Sequence, residues 1–122
     1  MLPGLLKAYD NLPASNPQKA ALAEPINALR GWDYRWAINS IPTSLAVFWG
    51  EDLFTRIGGK ARQAVMSAET YAIERATDAE RLQSLANAKA RLERDFGKWE
   101  TPWGEINRFQ RIINTIEPQF DD

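Results

Sequence analysis

Apolar residues recur at helical spacing along most of this chain. The clearest stripe follows Ser40, a residue type that caps helix N-termini. After it, apolar side chains stand three and four positions apart at Leu45, Phe48, Trp49, Leu53 and Ile57. The pair Gly58-Gly59 comes next, and glycine commonly ends a helix. The pattern therefore predicts a helix that begins after Ser40 and ends at the glycine pair.

A second strong helix is predicted after Thr77. The run Thr77-Asp78-Ala79-Glu80 matches a capping box, in which the Thr and Glu side chains each accept a hydrogen bond from the other's backbone N–H. Gly97 is expected to end this helix. Its apolar stripe comprises Leu82, Leu85, Leu92 and Phe96.

Weaker helical patterns occupy the rest of the first three-quarters of the chain. Asn16 caps a helix that starts at Pro17, where a missing N–H costs no hydrogen bond. Pro25 should kink or restart that helix, with Ile26 and Leu29 on the buried side. Residues 60–75 predict a less regular helix whose apolar side comprises Val65, Met66, Ala72 and Ile73.

Two Trp-containing segments complete the pattern. Trp32 and Trp36 stand four apart, which places them on one face of a predicted helix. Near the C-terminus, Trp, Pro and Gly between residues 99 and 104 predict a turn or extended segment, followed by a short strand or helical turn at 106–109. No repeat or linker divides the chain. We therefore expect one all-α, multi-helix domain over residues 1–122, with an extended or short-strand segment near its C-terminus.

Amino-acid composition mainly excludes certain partners and kinds of chemistry. The net charge of −1 gives no field that would attract nucleic acid or an anionic membrane. No apolar run approaches the ~20 residues that span a bilayer. The N-terminus lacks the pattern of a secretory signal, so no localisation is predicted. We expect neither nucleic acid nor membrane as a partner.

The chain contains no cysteine and no histidine. Disulfides, thiolate metal sites, haem held by His and thiol nucleophiles are therefore excluded. Every Ser-His-Asp or Cys-His arrangement is excluded as well, because its base is missing. Catalysis would have to use carboxylates, Lys, Tyr or a terminal amine, and no cofactor is expected.

Two clusters are candidates for binding. Trp32, Asp33 and Arg35 place opposite charges among aromatic rings, which suits a pocket but equally suits a Trp-filled core beside an ion pair. In residues 101–111, Asn107 and Arg108 are suited to hold a carboxylate or amide ligand next to Trp103. We favour the structural alternative for both clusters. In the second cluster, this alternative docks Trp103 on the helices and uses Gly104 for a sharp turn.

The other polar runs in the sequence do not predict metal-binding, phosphate-binding or acid–base sites. In the pairs Glu51-Asp52 and Asp121-Asp122, neighbouring side chains diverge, so neither pair predicts a metal site. The run 58–60 (GGK) follows a helix and lacks the preceding strand of a phosphate-binding loop. The remaining carboxylates considered, at Glu69, Glu74 and Glu80, have no spacing that would pair them for acid–base chemistry.

Two Trp-containing blocks about fifty residues apart carry a family resemblance. The first comprises residues 29–36 (LRGWDYRW), Ser40 and residues 44–49 (SLAVFW). The second comprises residues 96–99 (FGKW) and 101–108 (TPWGEINR). In this order they resemble a helical segment in the larger chain of the penicillin acylase family, over roughly residues 20–112. Members of that family are N-terminal-nucleophile amidases that cleave penicillins, acyl-homoserine lactones or cyclic lipopeptides.

The resemblance implies a supporting part of such an enzyme. Family members are several times longer, and their nucleophile is the N-terminal Ser of the larger chain, which uses its own α-amine as the base. Nothing here matches the motif around that Ser or the oxyanion-hole Asn, and Asn107 follows a different motif. No catalytic residue carries over, so the expectation is a scaffold fragment without activity of its own. Family members are typically periplasmic or extracellular.

Two other functions stay open at this point. One is a stand-alone helical module that binds a protein partner in a Trp-lined groove. The other is a small complete enzyme using Arg108 and a carboxylate such as Glu105. A segment taken from a larger enzyme should also expose apolar surface. The expected partners are therefore the remainder of the parent acylase or a second copy of the chain.

Overall fold

The computed structural model describes residues 1–34 and 37–106 of the chain. These residues form six helices, and a seventh begins at Trp103 and covers residues 103–106 of the described part. The described residues contain no strand, and the predicted all-α class is confirmed. The short strand or helical turn expected at residues 106–109 lies outside the described residues except for Ile106. The helices are α1 (Leu2–Asp10), α2 (Pro17–Ala21), α3 (Ala23–Arg30), α4 (Ile41–Gln63), α5 (Ala68–Glu74) and α6 (Asp78–Phe96).

The two long helices form the centre of the fold. α4 packs along α6, α1 packs on α6, and α3 and α5 pack on α4. The predicted stripes of both helices lie in this core, where Leu53 of α4 and Leu85 of α6 are completely buried. Each fully buried side chain of this size contributes about 1.5–3 kcal/mol. The amphipathic faces of α4 and α6 therefore define the architecture.

The predicted helix caps are confirmed. The Asn16 side chain accepts a hydrogen bond from the Gln18 backbone N–H at 2.8 Å, and Ser40 Oγ accepts one from the Thr43 N–H at 3.2 Å. At α6 both bonds of the capping box are present, 3.1 Å to Thr77 Oγ1 and 2.9 Å to the Glu80 carboxylate. Gly97 ends α6 with φ of +88°, a conformation that favours glycine.

The restart near Pro25 is also confirmed. α2 ends at Ala21 and α3 begins at Ala23, so Pro25 lies in the first turn of α3, where it disrupts no internal hydrogen bond. Ile26 and Leu29, the residues expected on the buried side, are 0% and 1% exposed.

The predicted end of α4 at Gly58-Gly59 is wrong. The helix continues for four more residues to Gln63, and Ala61 in this last turn is buried. The Lys60 ammonium also forms an ion pair with Glu80 at 2.7 Å, which ties the added turn to α6. Contacts with α5 and α6 therefore outweigh the ~1 kcal/mol that each interior glycine costs. Because residues 58–60 are helical, they form no phosphate loop.

The predicted apolar side of residues 60–75 is wrong at Val65 and Ile73. Val65 is 92% exposed and Ile73 is 52% exposed, while Ala72 is buried. The reason is a turn between α4 and α5, where Val65 has φ of +58° and the Met66 N–H reaches back to the Ala61 carbonyl at 2.9 Å. This turn breaks the helical period, so side chains before and after it do not share a face.

Arg81 connects three helices to the core. Its guanidinium donates to the carbonyls of Ala72 and Ile73 at 3.1 and 3.2 Å, which satisfies the C-terminal end of α5. It also lies against Gly4 of α1, where an added Cβ would be 3.1 Å from Arg81 Nε. Its backbone carbonyl accepts a hydrogen bond from the indole N–H of Trp49 at 3.0 Å. α1, α4 and α5 therefore meet α6 at one residue.

The Lys60–Glu80 pair makes the stability of this region depend on pH. Burial alone would raise the pKa of Glu80, whose side chain is 14% exposed. The hydrogen bond from Lys60 and the bonds to Thr77 outweigh burial, and the net result is a pKa below the ordinary value of 4.5. A carboxylate with a lowered folded-state pKa stabilises the fold above its unfolded pKa, and this contribution is lost as pH falls through the folded-state value.

We therefore expect Glu80→Gln to be less stable than the unsubstituted chain at pH 7 and to approach it in stability as the pH falls below 4.5 and Glu80 becomes protonated. The Gln side chain can retain the capping-box hydrogen bond, so the difference measures the charge interaction with Lys60. Because Lys60 is largely exposed and its charge is screened by solvent, the expected difference is small. Urea unfolding followed by circular dichroism at pH 7, 5 and 3 measures it, with the exposed Glu100→Gln as control. A difference that stays constant down to pH 3 would contradict this assignment.

Candidate functional site

The loop between α3 and α4 forms one side of the candidate site. After α3 ends at Arg30, Trp32 lies partly buried against the core and its ring centroid is 4.9 Å from that of Tyr34. Tyr34, in the loop that follows α3, has φ of +66°, in the left-handed region. Ile38 follows, and the Ser40 N–H bonds to the Ala37 carbonyl at 3.0 Å to lead the chain into α4.

The segment after α6 forms the other side. Trp99 is buried, and Thr101 is completely buried with its hydroxyl bonded to the Lys98 carbonyl at 2.6 Å. Pro102 precedes a helical turn over residues 103–106, in which the Glu105 N–H bonds to the Pro102 carbonyl at 3.0 Å. The turn or extended segment expected at residues 99–104 is confirmed for residues 99–102 and wrong for Trp103 and Gly104, which belong to the helical turn.

These two segments meet in what we call the loop junction, residues 31–34, 37–40 and 97–106. The Trp103 N–H donates to the Ser40 carbonyl at 3.1 Å, and the Gly104 N–H donates to the Ile38 carbonyl at 2.7 Å. A Cβ on Gly104 would lie 2.8 Å from that same carbonyl oxygen. Gly104 is therefore needed for close contact between the segments, and the expectation that it provides a sharp turn is replaced by this role.

The loop junction contains the described members of the predicted site. Trp103 packs partly buried against the core, as the structural interpretation expected, and Asp33 is exposed. Trp32 is not helical, so the prediction of a helix face shared with Trp36 is wrong for Trp32, because α3 ends before it. The remaining predicted residues, Arg35, Trp36, Asn107 and Arg108, lie outside the described residues.

The charged side chains of the loop junction are all exposed, at Asp33, Lys98, Glu100 and Glu105. The polar residues that are buried among residues 1–34 and 37–106 are Thr43, Ser44, Ser84 and Thr101, and none of these is ionisable at neutral pH. Glu105, considered above as a catalytic carboxylate, is exposed. In the same ranges, no group of three acidic side chains is arranged to hold a metal ion. The described geometry therefore supplies packing and backbone hydrogen bonds.

The acidic pair on α4 is engaged in ion pairs. Glu51 lies 3.5 Å from Arg91 of α6, and Asp52 lies 3.2 Å from Arg56. The Asn87 amide also approaches Asp52 at 3.4 Å. The two carboxylates thus bind separate basic partners, as the divergence of neighbouring helix positions predicts. The Asp121-Asp122 pair lies outside the described residues.

A shallow apolar hollow lies on the surface of α4. It has a volume of about 240 Å³ and is lined by Ala46, Val47, Gly50, Glu51 and Phe54. A second, more polar hollow of about 560 Å³ adjoins it and includes Thr55 and Arg91. Trp lines neither hollow, so these surfaces differ from the predicted Trp-lined groove.

Sequence reasoning missed three features of these regions. The Ile38 carbonyl accepts a hydrogen bond from Gly104, which is 66 positions away in the sequence, and no local pattern predicts such a contact. Ser44 Oγ is buried without a hydrogen-bond partner in the described part of the chain, although a small hydroxyl near a helix start looks unremarkable in sequence. The hollow on α4 has a sequence signal, the consecutive apolar residues 45–49, which place apolar side chains all round the helix.

No protein-family model, curated protein or solved structure was found to match this chain. A separate finding concerns the helices in residues 1–34 and 37–106, none of which is long and apolar enough to cross a bilayer.

Proposed function

We propose that this chain is the helical scaffold segment of a penicillin-acylase-type amidohydrolase, an enzyme that hydrolyses the amide bond of N-acyl compounds of the penicillin or acyl-homoserine lactone class. In this proposal the chain supports the reaction cleft of the parent enzyme and supplies no nucleophile, base or oxyanion hole. Its natural partner is the remainder of the parent acylase.

The observation that carries the proposal is the contact between the two resembling blocks. The first block contributes Ser40 and Phe48, and the second contributes Phe96 and Trp103. Trp103 binds the Ser40 carbonyl, and the Phe48 and Phe96 ring centroids lie 6.4 Å apart. Two distant stretches that resemble one family in the same order therefore form a single structural unit. Such contact between the two stretches is expected if both belong to one scaffold.

The buried chemistry supports a scaffold more than a catalyst. General acids and bases in enzymes usually have perturbed pKa values in a cleft, because burial and charged neighbours adjust them to their task. Within the described residues, the fully buried polar groups are hydroxyls, and the perturbed pair Lys60–Glu80 joins α4 to the N-terminal cap of α6. This pair joins α4 to α6, and neither of its residues belongs to the loop junction.

One test uses the purified chain alone. Incubated with a penicillin or an acyl-homoserine lactone, it is expected to release no acyl group above the rate in buffer, measured by chromatography of the products. Turnover that is abolished by a point substitution in this chain, for example Glu105→Gln, would refute the scaffold proposal and favour the small-enzyme alternative.

A second test places the segment in a parent enzyme. Residues 20–112 of this chain would replace the resembling segment of a penicillin-acylase-family enzyme, and self-cleavage into two chains and hydrolysis of an N-acyl substrate would be followed. The chimaera is expected to self-cleave and act, while the same chimaera carrying Gly104→Val is expected to fail, because that variant separates the two blocks. A soluble, folded chimaera that never self-cleaves would overturn the proposal.

The interaction-module alternative has one observation in its favour, the apolar hollow on α4. Its binding surface would then consist of aliphatic residues and Phe54 rather than Trp. A chain that binds no part of an acylase but associates through this surface would favour the module.

A further inference from the structure

The α4–α5 turn, residues 64–67, places a valine in a backbone conformation that suits glycine. Val65 has φ of +58°, and its side chain is 92% exposed, so no packing offsets the strain. A β-branched side chain is an outlier in the left-handed region, because its Cβ crowds the backbone there. Helices that end in this conformation usually place Gly or Asn at this position. The residue types in the turn therefore oppose the turn.

The sequence around the α4–α5 turn is suited to a continuous helix. Residues 60–75 contain neither glycine nor proline. Val65 and Ala72 stand seven positions apart, and so do Met66 and Ile73, so an unbroken helix would return these side chains to one face. In the folded chain the turn separates them, and Ile73, like Val65, is exposed. The apolar pattern is thus that of one helix, which the turn interrupts.

Local hydrogen bonds stabilise the turn against this preference. Ser67 Oγ accepts a hydrogen bond from the Thr70 N–H at 3.1 Å and so caps the N-terminus of α5. The Met66 N–H bonds to the Ala61 carbonyl at 2.9 Å across the turn. Ser67 is exposed, so its capping bond does not depend on the core. The bent and straight conformations of residues 64–67 are therefore in competition.

The contacts across the α4–α5 turn do not require both helices to belong to one chain. Three polar pairs join α4 to α6, and each has one member before the turn and one after it. The pairs are Lys60–Glu80 at 2.7 Å, Arg56–Ser84 at 3.2 Å and Asp52–Asn87 at 3.4 Å. If the turn straightens, the same pairs can form between α4 of one copy and α6 of another. Exchange of an identical element in this way is domain swapping, which short strained hinges favour.

We propose that the α4–α5 turn is the hinge of a domain swap between two copies of the chain. In the swapped state α4 and α5 form one continuous helix, and α6 of each copy packs on α1 and α4 of the other. The contacts of α6 are kept, while the left-handed conformation at Val65 is lost in both copies. The two chains lose freedom on association, so the dimer is populated as chain concentration rises. This inference does not depend on the scaffold function proposed above.

The swap requires α6 to leave its own α4, so the chain must be refolded to reach equilibrium. The chain is unfolded in urea and refolded at a series of concentrations, and monomer and dimer are separated by size-exclusion chromatography with light scattering. We expect a dimer whose share rises with the concentration during refolding. A chain that refolds only to monomer, both unsubstituted and as Ser67→Ala, overturns the proposal.

The decisive variants are Val65→Asn and its matched control Val65→Thr. Both introduce a polar side chain of similar helix propensity at an exposed position, so both should fold. Asn tolerates the left-handed conformation, whereas Thr is β-branched like Val. Val65→Asn is expected to weaken dimerisation about tenfold or more, because it relieves the strain in the monomer. Val65→Thr is expected to leave it within about threefold, since the strain remains. Equal loss in both would instead indicate association through the exposed apolar side chain, and would refute the swap.

Ser67→Ala is expected to act in the opposite direction. It removes the capping bond that only the bent turn uses, and Ala is the better helix former. Dimerisation should therefore strengthen by about fivefold, within the range that loss of a Ser cap produces. A dimer that weakens in Ser67→Ala would show that the turn stays bent when the copies associate.

Cross-linking distinguishes a swapped dimer from any other. The chain has no native cysteine, so Asp52→Cys with Asn87→Cys provides one thiol on α4 and one on α6, which a short bismaleimide can join. In the isolated dimer fraction this pair is expected to link two chains, seen as a covalent dimer on a denaturing gel. The control pair Gln83→Cys with Asn87→Cys lies within α6 and should link only within one chain. A dimer in which the 52–87 link also stays within one chain overturns the proposal.

Discussion

Replacing Trp49 by alanine is expected to lower the free energy of unfolding by about 3–5 kcal/mol. Trp49 is 2% exposed in the core of α4, so its removal leaves a cavity and forfeits a large buried area. It also deprives the Arg81 carbonyl of the indole donor at the residue where α1, α4 and α5 meet α6. Because domains of this size are stable by about 5–15 kcal/mol, the variant should lose a large part of its stability.

Trp49→Phe separates packing from hydrogen bonding at this position. It keeps an aromatic ring but removes the indole N–H that donates to the Arg81 carbonyl. Losing this hydrogen bond costs about 0.5–1.5 kcal/mol, because the carbonyl still accepts the helical hydrogen bond within α6. Urea unfolding followed by far-ultraviolet circular dichroism suits both variants, because it does not depend on the Trp fluorescence that they alter. Ile73→Ala, at an exposed position of α5, is the control and should change stability by less than about half a kcal/mol. Equal stability of Trp49→Ala and the unsubstituted chain would show that the indole does not join the core.

Replacing Gly104 by valine is expected to cost about 2–4 kcal/mol, the sum of overpacking and a lost backbone hydrogen bond. The new Cβ would lie 2.8 Å from the Ile38 carbonyl oxygen, and backbone atoms on both sides leave no flexible group to move aside. The two segments of the loop junction must then separate, and the Gly104–Ile38 hydrogen bond is broken. Hydrogen exchange at residues 103 and 104 should accelerate along with the loss of stability.

Gly59→Val is the matched control for this prediction. A Cβ on Gly59 meets no atom within 4 Å, and valine is at least as compatible with a helix interior as glycine. Thermal unfolding of Gly59→Val should therefore differ little from that of the unsubstituted chain. Similar losses in both variants would mean that the contact with Ile38 does not set the requirement for glycine at residue 104.

Local chemistry made several elements predictable from the sequence. A capping bond joins residues two or three positions apart, so Asn16, Ser40 and the Thr77–Glu80 box report helix starts without reference to the rest of the fold. The same holds for Gly97, whose left-handed conformation ends α6. Apolar periodicity placed the core faces of α4 and α6 correctly for the same reason.

The errors arose where distant contacts compete with local preference. Gly58 and Gly59 favour a helix end, yet α4 continues because Ala61 is buried and Lys60 pairs with Glu80, which is 20 residues away. Val65 was expected on an apolar face, but the turn it occupies turns its side chain into solvent. The sequence singled out Trp32, Asp33 and Trp103 as candidate site residues. It did not predict that the Ile38–Gly104 contact would bring their two segments together.

The amino-acid sequence alone determined the all-α class, the helix starts, the identity of the core stripes and the exclusion of histidine and cysteine chemistry. These depend on residue type and on spacings within a few helical turns. Only the tertiary structure decided where α4 ends, why residue 104 must be glycine and which side of α4 contains the apolar hollow. Each of these depends on which atoms from distant parts of the chain occupy the same space, and packing of that kind leaves no periodic trace in a sequence.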